Sequence, residues 1–172
     1  TDEDLIRIYQ TAYPALHATD PKAVVIGPTG AGISPGDLAW TERLLRKGLG
    51  QYLDAFCIHP YIAQPPEEHH LVQNVRALRE IIRTCAGKDL AILGTEQGYP
   101  TDARQDRERQ QALWLVRSAI ICVGEGMKCN FSFYSCDYPG EPGYGFFHNL
   151  VMEKQPWGPG VAWSICPCYG AR

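Results

Sequence analysis

Four short apolar runs recur along the chain: KAVVIG (22–27), DAFCIHPY (54–61), LAILGTE (90–96) and MKCNFSFYS (127–135). Each is rich in β-branched or aromatic residues, is bounded by Gly, Pro or charged residues, and is too short to be a helix, so each reads as a strand. The first three are apolar on consecutive positions, the mark of a strand covered on both faces. A segment of helical period separates each run from the next. Strands and helices in that alternation build right-handed βαβ units and a parallel sheet. The expected class is α/β, with four βα units in one domain spanning 1-172.

The helices follow from the spacing of apolar residues. Leu5, Ile8, Ala12 and Leu16 place a helix before the first strand, with a kink at Pro14. A second opens at Asp37, carries Leu38, Leu44 and Leu45, and ends at Gly48. A third is expected over 67–86 with Leu71, Val75, Leu78 and Ile82 on one face, and a fourth over 103–125 burying Leu113, Val116, Ile120 and Val123. A short helix near 161–165 closes the chain, although Pro167 interrupts the segment after it. Four such units fit either an open doubly wound sheet or half of an eight-stranded (β/α)8 TIM barrel, which takes about 250 residues against the 172 present.

Several functional classes are disfavoured. The formal charge is −3, so the basic footprint of a nucleic-acid partner is missing. No apolar run reaches the roughly 20 residues of a membrane span. No GxxxxGK[ST] follows a strand, and GPTGAGISPG (27–36) lacks a GxGxxG opening a helix, which leaves nucleotide binding without its usual cradle. Seven cysteines contain no Cys-x-x-Cys pair; Cys57, Cys85 and Cys122 read as buried free thiols. Cys129, Cys136, Cys166 and Cys168 could in principle bind zinc, but Cys-Pro-Cys is not the usual ligand spacing. No metal or organic cofactor is implied. The opening TDEDLIRIYQ reads as helix from its first residues and lacks an initiator Met, so the compartment stays open, secretion included.

In open α/β sheets and barrels alike, chemistry gathers at the carboxyl ends of the strands. Those ends carry His59 and Tyr61, then Glu96, then Phe133, Tyr134 and Asp137. Aromatic faces that can cover sugar C–H surfaces, groups that bind hydroxyls, and a carboxylate able to attack an anomeric carbon together suit a carbohydrate site. Each residue also has a plainer reading. Glu96 could be a solvated strand cap, His59 a hydrogen-bonded core histidine, Phe131 and Phe133 ordinary packing, and Asp137 the first residue of the turn DYPGEPGYG.

Taken in order, DPKAVVIGP, YLDAFCIHPY, ILGTEQGYP and FSFYS resemble barrel strands five to eight of the clan A glycoside hydrolases, the retaining (β/α)8-barrel enzymes that include xylosidase-, iduronidase-, mannanase- and cellulase-type families. The resemblance extends to about Leu150. It implies a half-barrel with a carbohydrate substrate, a β-linked glycoside or polysaccharide, and no cofactor. It assigns Glu96 to the nucleophile position after strand seven and His59 and Tyr61 to the lining of the catalytic subsite; Phe133, Tyr134 and Asp137 stay substrate-binding candidates by their place at the strand ends.

The match has gaps. The tryptophan that often ends strand eight is replaced by Phe133-Tyr134-Ser135. The family's general acid/base, a glutamate usually preceded by asparagine at the end of strand four, has no counterpart, and nothing in the sequence sets Glu67, Glu68 or Glu141 opposite Glu96. The expected function is therefore a retaining glycosidase fragment that carries the nucleophile without the acid. A non-catalytic carbohydrate-binding module and a self-associating half-barrel are the alternatives. The expected partners are a sugar and either a second copy or a complementing N-terminal half-barrel.

Overall fold

The structure is a computed structural model and describes residues 1–102, 104–133, 135–136 and 143–145. Helix α1 (Asp2–Thr19) begins on a capping box in which the Thr1 hydroxyl accepts from the Asp4 amide and the Asp4 carboxylate reaches back to Thr1. It runs through Pro14 as a single element, anchored on either side of that residue. Tyr13 donates to Asp54 Oδ1 at 2.8 Å, and His17 Nε2 lies 2.9 Å from Asp54 Oδ2. Helix α2 (Pro35–Arg46) is capped by Ser34, so Asp37 is the third residue of a second capping box and not the opening position. Gly48, at φ +93°, then turns the chain into a 3-10 turn, Leu49–Tyr52.

The sheet has three strands in the order β1 (Ala55–Ile58), β2 (Ala91–Gln97), β3 (Cys129–Ser132), all parallel. Helix α3 (Leu71–Cys85) connects β1 to β2, and α4 (Glu108–Gly124) connects β2 to β3. The α/β class with a parallel sheet is as expected; the strand expected over 22–27 is not formed as such. Within 22–27 it is Ile26 that makes a bridge, to Ala55, while the Val25 carbonyl takes the Asp54 and Ala55 amides. The physical reason lies in Asp54. Its carboxylate accepts the Val25 N–H at 2.8 Å, a donor that a regular ladder would need.

Alternation along the strands separates two faces. Phe56, Ile58 and Ile92 point toward the helices and share one core with Leu71, Val75, Leu78 and Ile82 of α3 and Leu115 and Cys122 of α4. The apolar face expected for α3 is thus the buried one. The face expected for α4 is not. Leu113, Val116, Ile120 and Val123 are all more than half exposed, and the helix instead buries Glu108, Gln111, Leu115, Ser118 and Cys122. Here polar bonding outweighs apolar burial. Gln111 Nε2 donates to the carbonyls of Tyr99 (2.8 Å) and Gly143 (2.7 Å), and the Ser118 and Tyr99 hydroxyls lie 2.6 Å apart. The Gly143 carbonyl also accepts the Thr101 amide at 2.9 Å, but leaving the buried Tyr99 carbonyl without Gln111 would cost about 1–3 kcal/mol, whereas an exposed aliphatic side chain is ordinary. On the opposite sheet face Phe131 is 60% exposed, and beside β1 Val24 is 65% exposed. No helix among the described residues is long and apolar enough to cross a membrane.

Asp54 fastens α1 to the sheet edge. Its partial burial alone would raise the carboxyl pKa, but the Val25 amide, the Tyr13 hydroxyl and His17 together hold it below the ordinary value. A depressed folded-state pKa gives stability that is complete above the unfolded value and is lost as pH falls through the folded one. Asp54→Asn is therefore expected to lose about 1.5–3 kcal/mol near neutral pH. Urea unfolding should show the gap to wild type closing as the pH drops below the ordinary carboxylate range.

Candidate active site

The three carboxyl strand ends converge. Tyr61, just beyond β1, donates its hydroxyl to Glu96 Oε1 at 2.7 Å, and His59 Nδ1 approaches the same oxygen at 3.5 Å. The second contact is too long for a strong hydrogen bond, so the phenol is the main anchor. Glu96 Oε2 has no hydrogen-bond partner among the described residues. His59 is tied in turn to the loop before α2, its amide donating to the Gly30 carbonyl at 3.2 Å. The rings of Tyr61, Phe133 and Tyr144 meet edge to face, with centroids 6.1, 6.2 and 5.6 Å apart. They form one wall of an open cleft of about 730 Å³, lined also by Ala31, Glu96, Pro100 and Asp102.

Glu96 faces this cleft because β2 contains an extra residue. The β2–β3 register runs Leu93 to Cys129 and Gly94 to Asn130, then resumes at Gln97 to Ser132, so Thr95 and Glu96 together oppose Phe131 alone. Without the bulge, Glu96 would fall on the face of Ile92 and Gly94, toward the helices. The inserted residue reverses the parity and delivers the carboxylate to the other face. Gln97 is then turned inward and is 1% exposed.

The structure brings Glu96, His59, Tyr61 and Phe133 together. Tyr134 and Asp137, the other two expected members, lie outside the described residues, as do Glu141 and the expected helix near 161–165. Glu67 is drawn to Arg117, which holds its carboxyl below the usual range, and Glu68 is exposed outside the cleft lining. Asp102 is the second carboxyl-bearing residue in the cleft wall among the described residues; its carboxylate is engaged by Arg107. No group of three or more potential metal ligands occurs among the described residues. Burial pushes the Cys122 thiol up to about 12, which makes it an inert core residue. The Tyr99 phenol is likewise raised to about 12 by burial and stays protonated opposite Ser118.

Sequence reasoning missed Tyr144, Gln97 and the bulge. Gly94 inside an apolar strand was the available signal, since a strand-interior glycine often marks a bulge or a close approach. Both apply. A Cβ at Gly94 would lie 2.4 Å from Asn130 Oδ1.

Among solved structures, the chain is similar to a family 39 glycoside hydrolase from the gut symbiont Bacteroides cellulosilyticus WH2, with 22% identity, TM-score 0.61 and coverage of 83% of this chain and 33% of that one. The fold is similar to part of a family 39 glycoside hydrolase. A family 39 β-xylosidase from Caulobacter crescentus gives 23% identity and TM-score 0.51 over 82% of this chain and 32% of that one. The chain therefore spans about a third of the length of either structure. No protein-family profile and no curated protein sequence matches it.

Gly98 is the position where the aromatic wall admits no side chain, because a Cβ there would come within 2.6 Å of the Tyr144 ring. Gly98→Ala is expected to displace Tyr144 and weaken the near-ultraviolet circular dichroism of the ring cluster while the far-ultraviolet signal is kept. Unchanged near-ultraviolet bands would show that the stack tolerates the methyl group.

Proposed function

We propose that this chain carries the nucleophile side of a retaining glycosidase site, with Glu96 as the nucleophile and a β-linked glycoside as substrate. The observation that supports this most is the 2.7 Å hydrogen bond from Tyr61 to one oxygen of a carboxylate at a parallel strand end, inside an aromatic cleft. The bond fixes the carboxylate's orientation and leaves Oε2 to attack the anomeric carbon in line. In that step an Oε2–C1 bond forms, the C1–O bond to the leaving group breaks, and the leaving oxygen departs with the electron pair. Water later cleaves the ester and restores the carboxylate. His59 borders the same oxygen, and Phe133, Tyr134 and Asp137 are proposed to contact the sugar.

A retaining enzyme also needs an acid about 5–5.5 Å from the nucleophile. In this reading the described strands are the later part of a barrel, and the remaining strands supply the acid. The apolar residues at the two open sides, Val24 and Ile26 at one and Phe131 with the outer stripe of α4 at the other, are where those strands would pack. The same exposed residues favour self-association as a second reading, in which the strand ends bind sugar without turning it over.

A leaving group that needs no protonation bypasses the missing acid. The chain incubated with a fluoroxyloside bearing a dinitrophenolate leaving group should gain one fluoroxylosyl unit by intact mass, mapping to Glu96. Glu96→Ala should gain none, and Tyr61→Phe should label about 10- to 100-fold more slowly. A well-folded chain that stays unlabelled but still binds xylo-oligosaccharides after Glu96→Gln would favour the binding reading.

A further inference from the structure

Gln97 is buried and lies on the face opposite the cleft, yet it is bonded to the two neighbouring segments that carry Tyr61 and Phe133. Its Nε2 donates to the Pro60 carbonyl across a long 3.5 Å, its Oε1 accepts from Asn130 Nδ2, and its backbone carbonyl accepts the Phe133 amide at 2.7 Å. Pro60 lies between His59 and Tyr61, Phe133 is in the cleft wall, and Glu96 is the preceding residue. We propose that Gln97 is the positioning residue that locks the β2 bulge and so holds Glu96 against Tyr61.

The direction of the bonding is set by the weak 3.5 Å contact to Pro60. A carbonyl can only accept, so Pro60 requires the NH2 group of Gln97 and turns its oxygen to Asn130. Asn130 must then present its own NH2 group, which leaves its oxygen aimed at Gly94. That oxygen, Asn130 Oδ1, is buried and has no hydrogen-bond partner among the described residues. Buried acceptors are seldom left this way. Reversing Asn130 would set two oxygens against each other, so the orphan is the consequence of satisfying Pro60. An apolar side chain at position 97 could serve neither neighbour. The strand would then be free to recover regular alternation, which would turn Glu96 toward the helices.

For catalysis the proposal rests on the glycosidase reading; its geometric content stands apart from it. Gln97→Leu should slow fluoroxyloside labelling of the chain about 10- to 100-fold while the reagent concentration for half-maximal rate changes by less than about twofold, since a misaimed nucleophile loses rate and not sugar affinity. Gln97→Glu provides the test that a merely structural role would not pass. Its buried carboxyl, neutral at about pH 5, can donate to Pro60 and accept from Asn130, and when ionised at about pH 8 it repels the carbonyl. Relative to wild type at each pH, its labelling rate should approach parity in acid and fall to that of Gln97→Leu in base.

Labelling of Gln97→Leu at the wild-type rate, or a Gln97→Glu profile parallel to wild type, overturns the proposal. If Gln97→Leu does not fold, the Gln97→Glu profile decides. If wild type itself is never labelled, the nucleophile reading fails instead. A crystal structure of either variant then decides the positioning role. A Tyr61–Glu96 hydrogen bond kept in Gln97→Leu, or in Gln97→Glu crystallised at about pH 8, refutes it, and a broken one supports it.

Discussion

One extra residue between Gly94 and Gln97 decides which way the strand-end carboxylate points. In a regular strand, side chains alternate strictly, and Glu96 would share the helix-facing side with Ile92. There a carboxylate would be buried among Leu and Ile side chains, a cost of several kcal/mol without a partner. The bulge sends Glu96 to the open side and hands the buried position to Gln97, an uncharged amide that can be satisfied by neighbouring strands. The hydrogen bond from Tyr61, the cleft and the aromatic wall all presuppose that reversal.

The two faces of the sheet are built to different standards. Toward the helices, Phe56, Ile58, Ile92 and the α3 stripe are almost wholly buried. On the other face Ala55 and Cys57 of β1 are buried but Phe131 of β3 is well exposed, as are Val24 beside β1 and Ile120 and Val123 of α4.

Much of the fold was legible from local pattern. The three laddered strands and the helices before, between and beside them follow from apolar period, capping residues and glycine stops, all of which act within a few residues of one another. The failures had tertiary causes. The 22–27 run lost its strand character because the Asp54 side chain, distant in sequence, took a backbone donor. The α4 face was misjudged because Gln111 is held on the inside by the carbonyls of Tyr99 and Gly143.

The site divides in the same way. The sequence alone determined that a histidine, a tyrosine, a glutamate and a phenylalanine lie at successive parallel strand ends, because strand order and polarity follow from the βα alternation. It could not determine that Glu96 faces those neighbours. Side-chain parity depends on an irregular register between β2 and β3, which only pairing with Asn130 and Ser132 defines. The grouping of Tyr144 with Tyr61 and Phe133 likewise arises from loops that meet in space. Local chemistry thus set the cast of residues, and non-local hydrogen bonding set which of them touch.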